Sequence, residues 1–206
     1  LRRREAYRLP TGEQQGILEK KVLSEGAIVF FLSVVYSGIL SYIVLFAKEI
    51  GAENPGAYFL ATAVAMVVSR PYAGKFFDKD GPVRIMCGGF IALFIAFICL
   101  FFAAGGLLFI LSALFLGFGH GIVHSTALTL AINKVDLARR GVVNATMLTA
   151  FDLGLGFGAV LLGILADYAG LKVMYLVSGL LVLIPSAIFY LHTWQKSDQA
   201  EAMNYN

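Results

Sequence analysis

The sequence predicts an all-α transmembrane protein, a bundle of six helices with both termini in the cytoplasm. Its 206 residues are 59% hydrophobic and 14% charged. The mean hydropathy of +0.80 lies far above that of a soluble globular domain. Six stretches are long and apolar enough to cross the hydrocarbon core of a bilayer. The Lys and Arg residues collect in the short segments between these stretches, as they do in membrane proteins.

The predicted spans follow one another with short connections, and the second is the shortest. A span needs about 20 mostly apolar residues. In chain order the six spans are Ser24–Phe46, Gly56–Ala73, Ile85–Ala104, Leu107–Ile132, Val142–Ala166 and Val173–His192. Gly-rich stretches in the fourth and fifth spans are typical of membrane helices that pack closely, and Gly154 and Gly158 form a G-x-x-x-G pair.

Positive charge predicts the orientation of the spans. Of the 16 Lys and Arg residues, only Lys48 and Lys172 fall on one side of the predicted membrane, and the others fall on the opposite side. Because Lys and Arg are enriched in cytoplasmic loops, the richer side is expected to be cytoplasmic. Both termini then lie in the cytoplasm of a bacterial cell, and the protein is placed in its inner membrane.

The connection after the second span carries a recognisable pattern, Gly74-Lys75-Phe76-Phe77-Asp78-Lys79-Asp80-Gly81-Pro82-Val83-Arg84. It resembles the signature loop of the major facilitator superfamily, which follows the second helix of each six-helix half. The matching residues are Gly74, Asp78, Lys79 and Gly81; Arg84 comes after two positions where the family has basic residues and this chain has Pro and Val. The region from Arg139 through the Gly-rich segment after Asp152 is similar to that of twelve-helix bacterial proton-coupled exporters.

The resemblance implies a domain organisation. The six spans correspond to helices seven to twelve of such a transporter, and a missing N-terminal six-helix half contributes the other side of the substrate cavity. Residues 1–21 are then part of the central cytoplasmic linker, 22–193 the transmembrane half-domain and 194–206 a cytoplasmic tail. The chain starts at Leu1 with a charged segment rather than a signal peptide, so it is expected to be a fragment.

Three ionisable residues are predicted at the middle of the membrane, where such groups are rare and often functional. They are Asp152 in the fifth span and His120 and His124, one helical turn apart, in the fourth. One hypothesis is a proton-coupling site in which Asp152 exchanges protons together with a histidine. The alternative is that Asp152 holds a helix crossing through hydrogen bonds and that the histidines are structural.

Hydroxyl-bearing residues form stripes at helical spacing on the first two spans. The resemblance places these helices at the central cavity, so the stripes are the expected substrate contacts, although such hydroxyls often bond their own backbone. The stripes consist of Ser33, Tyr36, Ser37 and Ser41 on the first span, and of Tyr58, Thr62 and Ser69 on the second. Arg70, near the cytoplasmic end of the second span, is expected to extend to water or to pair with Asp78.

These patterns favour a secondary active transporter that works by alternating access, a proton-coupled exporter of a small or amphiphilic solute. A proton-coupled importer and a membrane assembly protein stay open as alternatives. The expected partners are a small-molecule substrate, a proton and the lipid bilayer. No cofactor, metal site or nucleic acid is expected, because an H-x-x-x-H pair lacks further ligands and the basic residues follow membrane topology. An enzyme is not expected either, because no set of catalytic residues converges.

Overall fold

The computed structural model describes residues 19–52 and 54–191, and within these leaves the side chains of Asp78 and Asp80 undescribed. In this part of the chain all regular structure is helical: α1 (Leu23–Glu49), α2 (Pro55–Phe102), α3 (Gly106–Ile132), α4 (Arg140–Ala169) and α5 (Leu171–Leu181). Single 3-10 turns, Lys20–Val22 and Leu137–Arg139, precede α1 and α4. The predicted linker before residue 19 and the predicted tail from residue 194, with Lys196, lie outside the described residues.

Helix α2 consists of two arms, residues 55–80 and 82–102, separated by Gly81. The first arm begins with Pro55, and the Asn54 side chain accepts a hydrogen bond from the Ala57 amide at 3.3 Å. Gly81 has φ of 78° and ψ of 168°, outside the helical region. Glycine adopts positive φ without steric cost, and proline is favoured at the first position of the helix that follows. The expectation that residues 74–84 form a loop is therefore wrong, because this connection is helical except at Gly81.

Five helical segments in the described part are long and apolar enough to cross a membrane: Lys20–Glu49, Gly81–Phe102, Gly106–Ile132, Leu137–Ala169 and Leu171–Leu191. They correspond to five of the predicted spans. The remaining predicted span, residues 56–73, lies in the first arm of α2, which is helical but does not reach the same apolarity because it contains Arg70, Pro71 and Tyr72. The last segment is interrupted at Val182, three residues before Pro185, whose nitrogen cannot donate to the helix backbone.

Two helix pairs make the most extensive contacts in the bundle, α2 with α3 and α1 with α4. Each pair crosses at a G-x-x-x-G segment. A Cβ on Gly117 or Gly121 of α3 would collide with Thr62 or Met66 of α2, and a Cβ on Gly154 or Gly158 of α4 would collide with Phe30 or Val34 of α1. Because membrane helices gain little from the hydrophobic effect between them, such close backbone approach supplies the packing energy.

Candidate functional site

A cavity of about 800 Å³ lies between the two tightly crossed helix pairs. It extends from Tyr36, the central residue of α1, towards the end of the bundle where α3 gives way to α4. At that end it is bordered by Thr129, near the C-terminus of α3, and by Asn144, near the N-terminus of α4. Its complete lining is Tyr36, Met66, Arg70, His120, Gly121, His124, Ser125, Leu128, Thr129, Asn144, Met147, Leu148 and Phe151.

Four rings in successive contact line the deep part of the cavity. The rings of Tyr36 and His120 lie 4.4 Å apart between centroids, and those of His120 and His124 are nearly parallel at 5.7 Å. The Phe151 ring meets His124 edge-on at 5.8 Å. This ladder connects α1, α3 and α4 across the cavity, so the two predicted histidines do lie in one site.

His120 is the most unusual member of this ladder. Its side chain is only 5% exposed, and neither ring nitrogen has a hydrogen-bond partner among the described residues. Buried polar groups are normally hydrogen-bonded because an unpaired one costs about 1–3 kcal/mol. A histidine that only packed the helices together would be expected to find a partner. Both nitrogens lie buried just behind the cavity wall, so a ligand in the cavity reaches them only when a neighbouring ring moves.

Arg70 contributes a permanent positive charge to the cavity. It lies within electrostatic reach of His124 and forms no ion pair with any residue that the structure describes. Its neighbour Ser69 packs against Gly121 of α3. This contact places Arg70 at the same height along the bundle as the helical turn from His120 to His124. The prediction that Arg70 extends to water or pairs with Asp78 overlooked this cavity position, since a sequence does not show which helix face is open.

Asp152 does not join the histidines in the cavity. It is exposed on α4 and has no hydrogen bond or ion pair with the rest of the described chain. Around α4, its face adjoins the cavity-lining face that carries Asn144, Leu148 and Phe151. Within this chain His120 and His124 therefore line the cavity, whereas Asp152 lies on the neighbouring face of α4, outside the lining.

Of the hydroxyl stripes, only Tyr36 lines the cavity. Ser33 and Ser37 donate to backbone carbonyls of α1 at 2.8 and 2.7 Å and face the glycines of α4. The other members lie away from the cavity lining: Thr62 and Ser69 donate to their own helix, Tyr58 packs against Phe109 and Ser112, and Ser41 is exposed. Ser33, Ser37, Thr62 and Ser69 lie at close helix crossings instead of facing this cavity. Substrate contact by the stripes therefore stays a prediction, and within the described chain only Tyr36 lines the cavity.

The residues of the signature loop, 74–84, lie where the two arms of α2 meet, at the opposite end of the first arm from Pro55. Gly74 and Lys79 are exposed, and Gly81 forms the break between the arms. Arg84 borders a small apolar groove with Tyr72, Phe76, Ile85, Gly88, Phe118 and Ile122. The Asp78 side chain lies outside what the structure describes, so its expected pairing with Arg70 stays a prediction.

Two ion pairs with buried carboxylates, at the cavity end of the bundle, were missed by the sequence analysis. Glu25 of α1 is 4% exposed and lies 2.7 Å from the Lys134 ammonium. Glu19 is 3% exposed and lies 2.8 Å from Nε of Arg139. The Glu19 amide also donates to the Thr146 hydroxyl at 3.1 Å. Acidic residues just before an apolar run and basic residues between α3 and α4 were the available signal, but pairs so distant in sequence cannot be matched without the fold.

Comparison with known proteins agrees with this architecture. Residues 7–202 match the family model described as Major Facilitator Superfamily. The chain is 27% identical over 169 residues to the "Staphylopine export protein" of Staphylococcus aureus, covering 80% of this chain and 43% of that protein. It is 28% identical over 157 residues to "Uncharacterized MFS-type transporter MJ1560" of Methanocaldococcus jannaschii, covering 75% of this chain and 40% of that protein.

The chain thus spans about two fifths of the length of these curated relatives. The family match covers nearly all of the chain and confirms the resemblance stated from the residues of the signature segment. With its apolar helices it makes the protein a multi-pass protein of the cell membrane. The chain belongs to the Major Facilitator Superfamily, a family of membrane transporters.

Proposed function

We propose that this chain is the C-terminal half of a proton-coupled exporter that moves a small or amphiphilic solute by alternating access. The observation that carries the proposal is the cavity between the α1–α4 and α2–α3 pairs, which reaches the middle of the bundle and is lined by both apolar and hydrogen-bonding side chains. Its volume of about 800 Å³ lies in the usual range for small-molecule sites. One of the relatives is named as an exporter, which favours outward transport.

The cavity end of the bundle is assigned to the cytoplasm. Lys134 and Arg139 lie between α3 and α4 at that end, and Arg140 is the first residue of α4. Lys and Arg are enriched in cytoplasmic connections. In this orientation the cavity opens inwards, ready to receive a solute from the cell. Export then requires a second state in which the same cavity opens to the outside.

Helix α4 offers the surface on which a first half would pack. Only 17% of its most apolar stretch is buried, whereas 56% of the corresponding stretch of α1 is buried. One exposed stripe at helical spacing is small and polar and consists of Gly141, Ala145, Thr149, Asp152 and Gly156, whereas the next stripe is apolar and consists of Leu153, Phe157, Val160 and Ile164. The apolar stripe suits lipid, and the small-residue stripe suits another helix. We therefore assign the small-residue stripe to the contact with the N-terminal half.

Asp152 is the proposed proton carrier. It lies about 18 Å along α4 from Arg140, near the middle of the membrane, on the stripe that would meet the first half. A carboxylate is costly at this depth unless it is paired, protonated or in contact with water. In the assembled transporter it can exchange a proton with the cavity beside it, and His120 and His124 lie on the other side of that cavity.

Everted membrane vesicles that contain the full-length protein test this function. Respiration acidifies the vesicle interior, and a pH-sensitive dye reports the gradient while fractions of cell extract are added. An exporter that exchanges solute for protons collapses part of the gradient when its solute is added. An importer that carries solute together with protons does not do so in this geometry.

The variant Asp152→Asn keeps the shape of the side chain but cannot release a proton, so the solute-dependent collapse should disappear. Asp136→Asn, which removes an exposed carboxylate at the end of the cavity, is the control and should behave like the wild type. Retention of the full response by Asp152→Asn would remove Asp152 from the coupling mechanism. Absence of any solute response in the wild type would contradict proton-coupled export.

A further inference from the structure

We propose that the cavity binds an organic anion, with the carboxylate or phosphate of the solute paired with Arg70 and hydrogen-bonded by His120. The inference rests on the proposed transport function and assigns a chemical class to its substrate. Three features of the described lining carry it: an available guanidinium, unpaired donors at the deep end, and the lack of an acidic side chain among the described lining residues.

Arg70 is the attractive charge. A guanidinium presents its N–H groups in a planar fork that matches a carboxylate or phosphate, and it stays charged at all relevant pH values. Arg70 is exposed, and in the described chain no carboxylate neutralises it. A cationic solute would have to enter against this charge, whereas an anion would be drawn to it.

The donors converge on the same space from three helices. Tyr36 on α1, His120 and His124 on α3, and Asn144 on α4 all border the cavity. Both nitrogens of His120 lack a described partner and are themselves buried, so the one N–H that a neutral imidazole always carries reaches the solute when a neighbouring ring makes way. Together with Arg70 these groups can satisfy the several lone pairs of an oxyanion, which would otherwise lose its hydration on entering the membrane.

The remaining walls describe the rest of the ligand. Met66, Leu128, Met147, Leu148 and Phe151 are apolar and lie around the polar groups. Methionine adapts to varied ligand shapes, and Phe151 offers a ring face or edge for stacking. The site therefore suits an anion that carries an apolar or aromatic body.

A matched series of naphthalene compounds separates the possible charges. The probes are 1-naphthoate, 1-naphthyl phosphate, the neutral 1-naphthamide and the cationic 1-naphthylmethylamine, each titrated against the full-length protein in lipid nanodiscs by thermal unfolding. We expect the two anions to raise the unfolding temperature and the amide and amine to have little effect. The comparison of carboxylate with phosphate shows which oxyanion the site prefers.

Variants locate the charge that is responsible. Arg70→Gln should weaken binding of the anions about tenfold or more, because it removes a charge-assisted hydrogen bond. Arg70→Lys keeps the charge without the planar fork, so its affinity for the anions should lie between those of the wild type and Arg70→Gln. Arg140→Gln, an exposed arginine at the same end of the bundle outside the cavity lining, is the control and should bind like the wild type.

The wild-type series decides the matter even if Arg70→Gln does not fold. Equal or tighter binding of the amine or amide, or no binding of either anion at millimolar concentration, would overturn the anion assignment. Equal loss of anion binding in Arg140→Gln would overturn the role of Arg70. If a cation is bound and also transported by everted vesicles, the anion assignment is refuted and the transport function is supported. If an anion is bound but never transported, the anion assignment is supported and the transport function is refuted.

Discussion

At the scale of single residues, the glycines of the helix crossings determine how closely the membrane helices approach. Gly158→Ala would place a Cβ against the Val34 backbone and the Ser37 hydroxyl, where neither neighbour can move freely. We expect the variant to lose about 1–3 kcal/mol of stability through overpacking. Thermal unfolding of the detergent-solubilised full-length protein measures this loss. Gly88→Ala, which meets open space, should leave the unfolding temperature unchanged, and an equal loss in both variants would contradict the crossing geometry.

His120 tests whether a buried polar side chain is present for stability or for a ligand. Its nitrogens are unpaired in the described chain, so His120→Leu removes polar atoms that cost about 1–3 kcal/mol to bury and retains a similar volume. We expect folding stability to stay level or rise while solute transport falls strongly. Thermal unfolding and the vesicle assay, performed on the same preparation, separate the two effects. A large loss of stability together with normal transport would make His120 a packing residue.

Residue identity alone predicted part of this site. An H-x-x-x-H pair at mid-membrane pointed to His120 and His124 because ionisable groups are rare at that depth, and both line the cavity. Within the hydroxyl stripe, Ser33 and Ser37 face glycines across a crossing. Arg70 was undervalued as well. A helical stripe looks the same in sequence whether it faces a cavity or a neighbouring helix, and only the packing of the bundle decides.

At the scale of elements, two ion pairs tie the start of α1 to the connection between α3 and α4. Glu25 and Lys134 are both largely buried, so removal of one partner leaves an uncompensated charge. Glu25→Gln should destabilise the protein by about 3 kcal/mol, and the exchanged pair Glu25→Lys with Lys134→Glu should recover part of the loss. A double-mutant cycle by thermal unfolding measures the coupling. Additive effects of the two single changes would show that the pair does not act as a unit.

The break in α2 is a second element with a specific chemical requirement. Gly81 has positive φ, which an L side chain adopts only at a cost of about 1–3 kcal/mol. Gly81→Ala is therefore expected to lower stability by about that amount, although the position is open. Gly74→Ala, at an equally open helical glycine, should be neutral or slightly stabilising in the same unfolding assay. Equal behaviour of the two variants would mean that the backbone at Gly81 is not constrained.

Element boundaries were more predictable than connections. Long apolar runs determined α1, α3 and α4 to within a few residues, because span length is set by the bilayer. The connection at residues 74–84 was expected as a loop because its residues are charged and it contains glycine and proline. Charged residues are nevertheless compatible with a helix that projects beyond the apolar core, and the chain reverses at one glycine. Composition thus located the turn but overestimated its length.

At the scale of the whole molecule, the cavity belongs to a half-bundle whose remaining open side lies along α4. The proposed transporter requires that this cavity be reached from alternate sides of the membrane. Leu148 lines the cavity and is 61% exposed, so a cysteine there reports its accessibility without knowledge of the substrate. Leu153 is equally exposed but lies on the apolar stripe of α4, and a cysteine there should meet lipid.

The most direct test labels Leu148→Cys with a membrane-impermeant maleimide, in the full-length protein with Cys87 and Cys99 replaced by Ser. Vesicles of both orientations are compared with and without an imposed proton gradient, and Leu153→Cys serves as the control. We predict that Leu148→Cys reacts from the cytoplasmic side at rest and from the outer side when the gradient is imposed, while Leu153→Cys reacts from neither side. Reaction of Leu148→Cys from one side only, unchanged by the gradient, would contradict alternating access through this cavity.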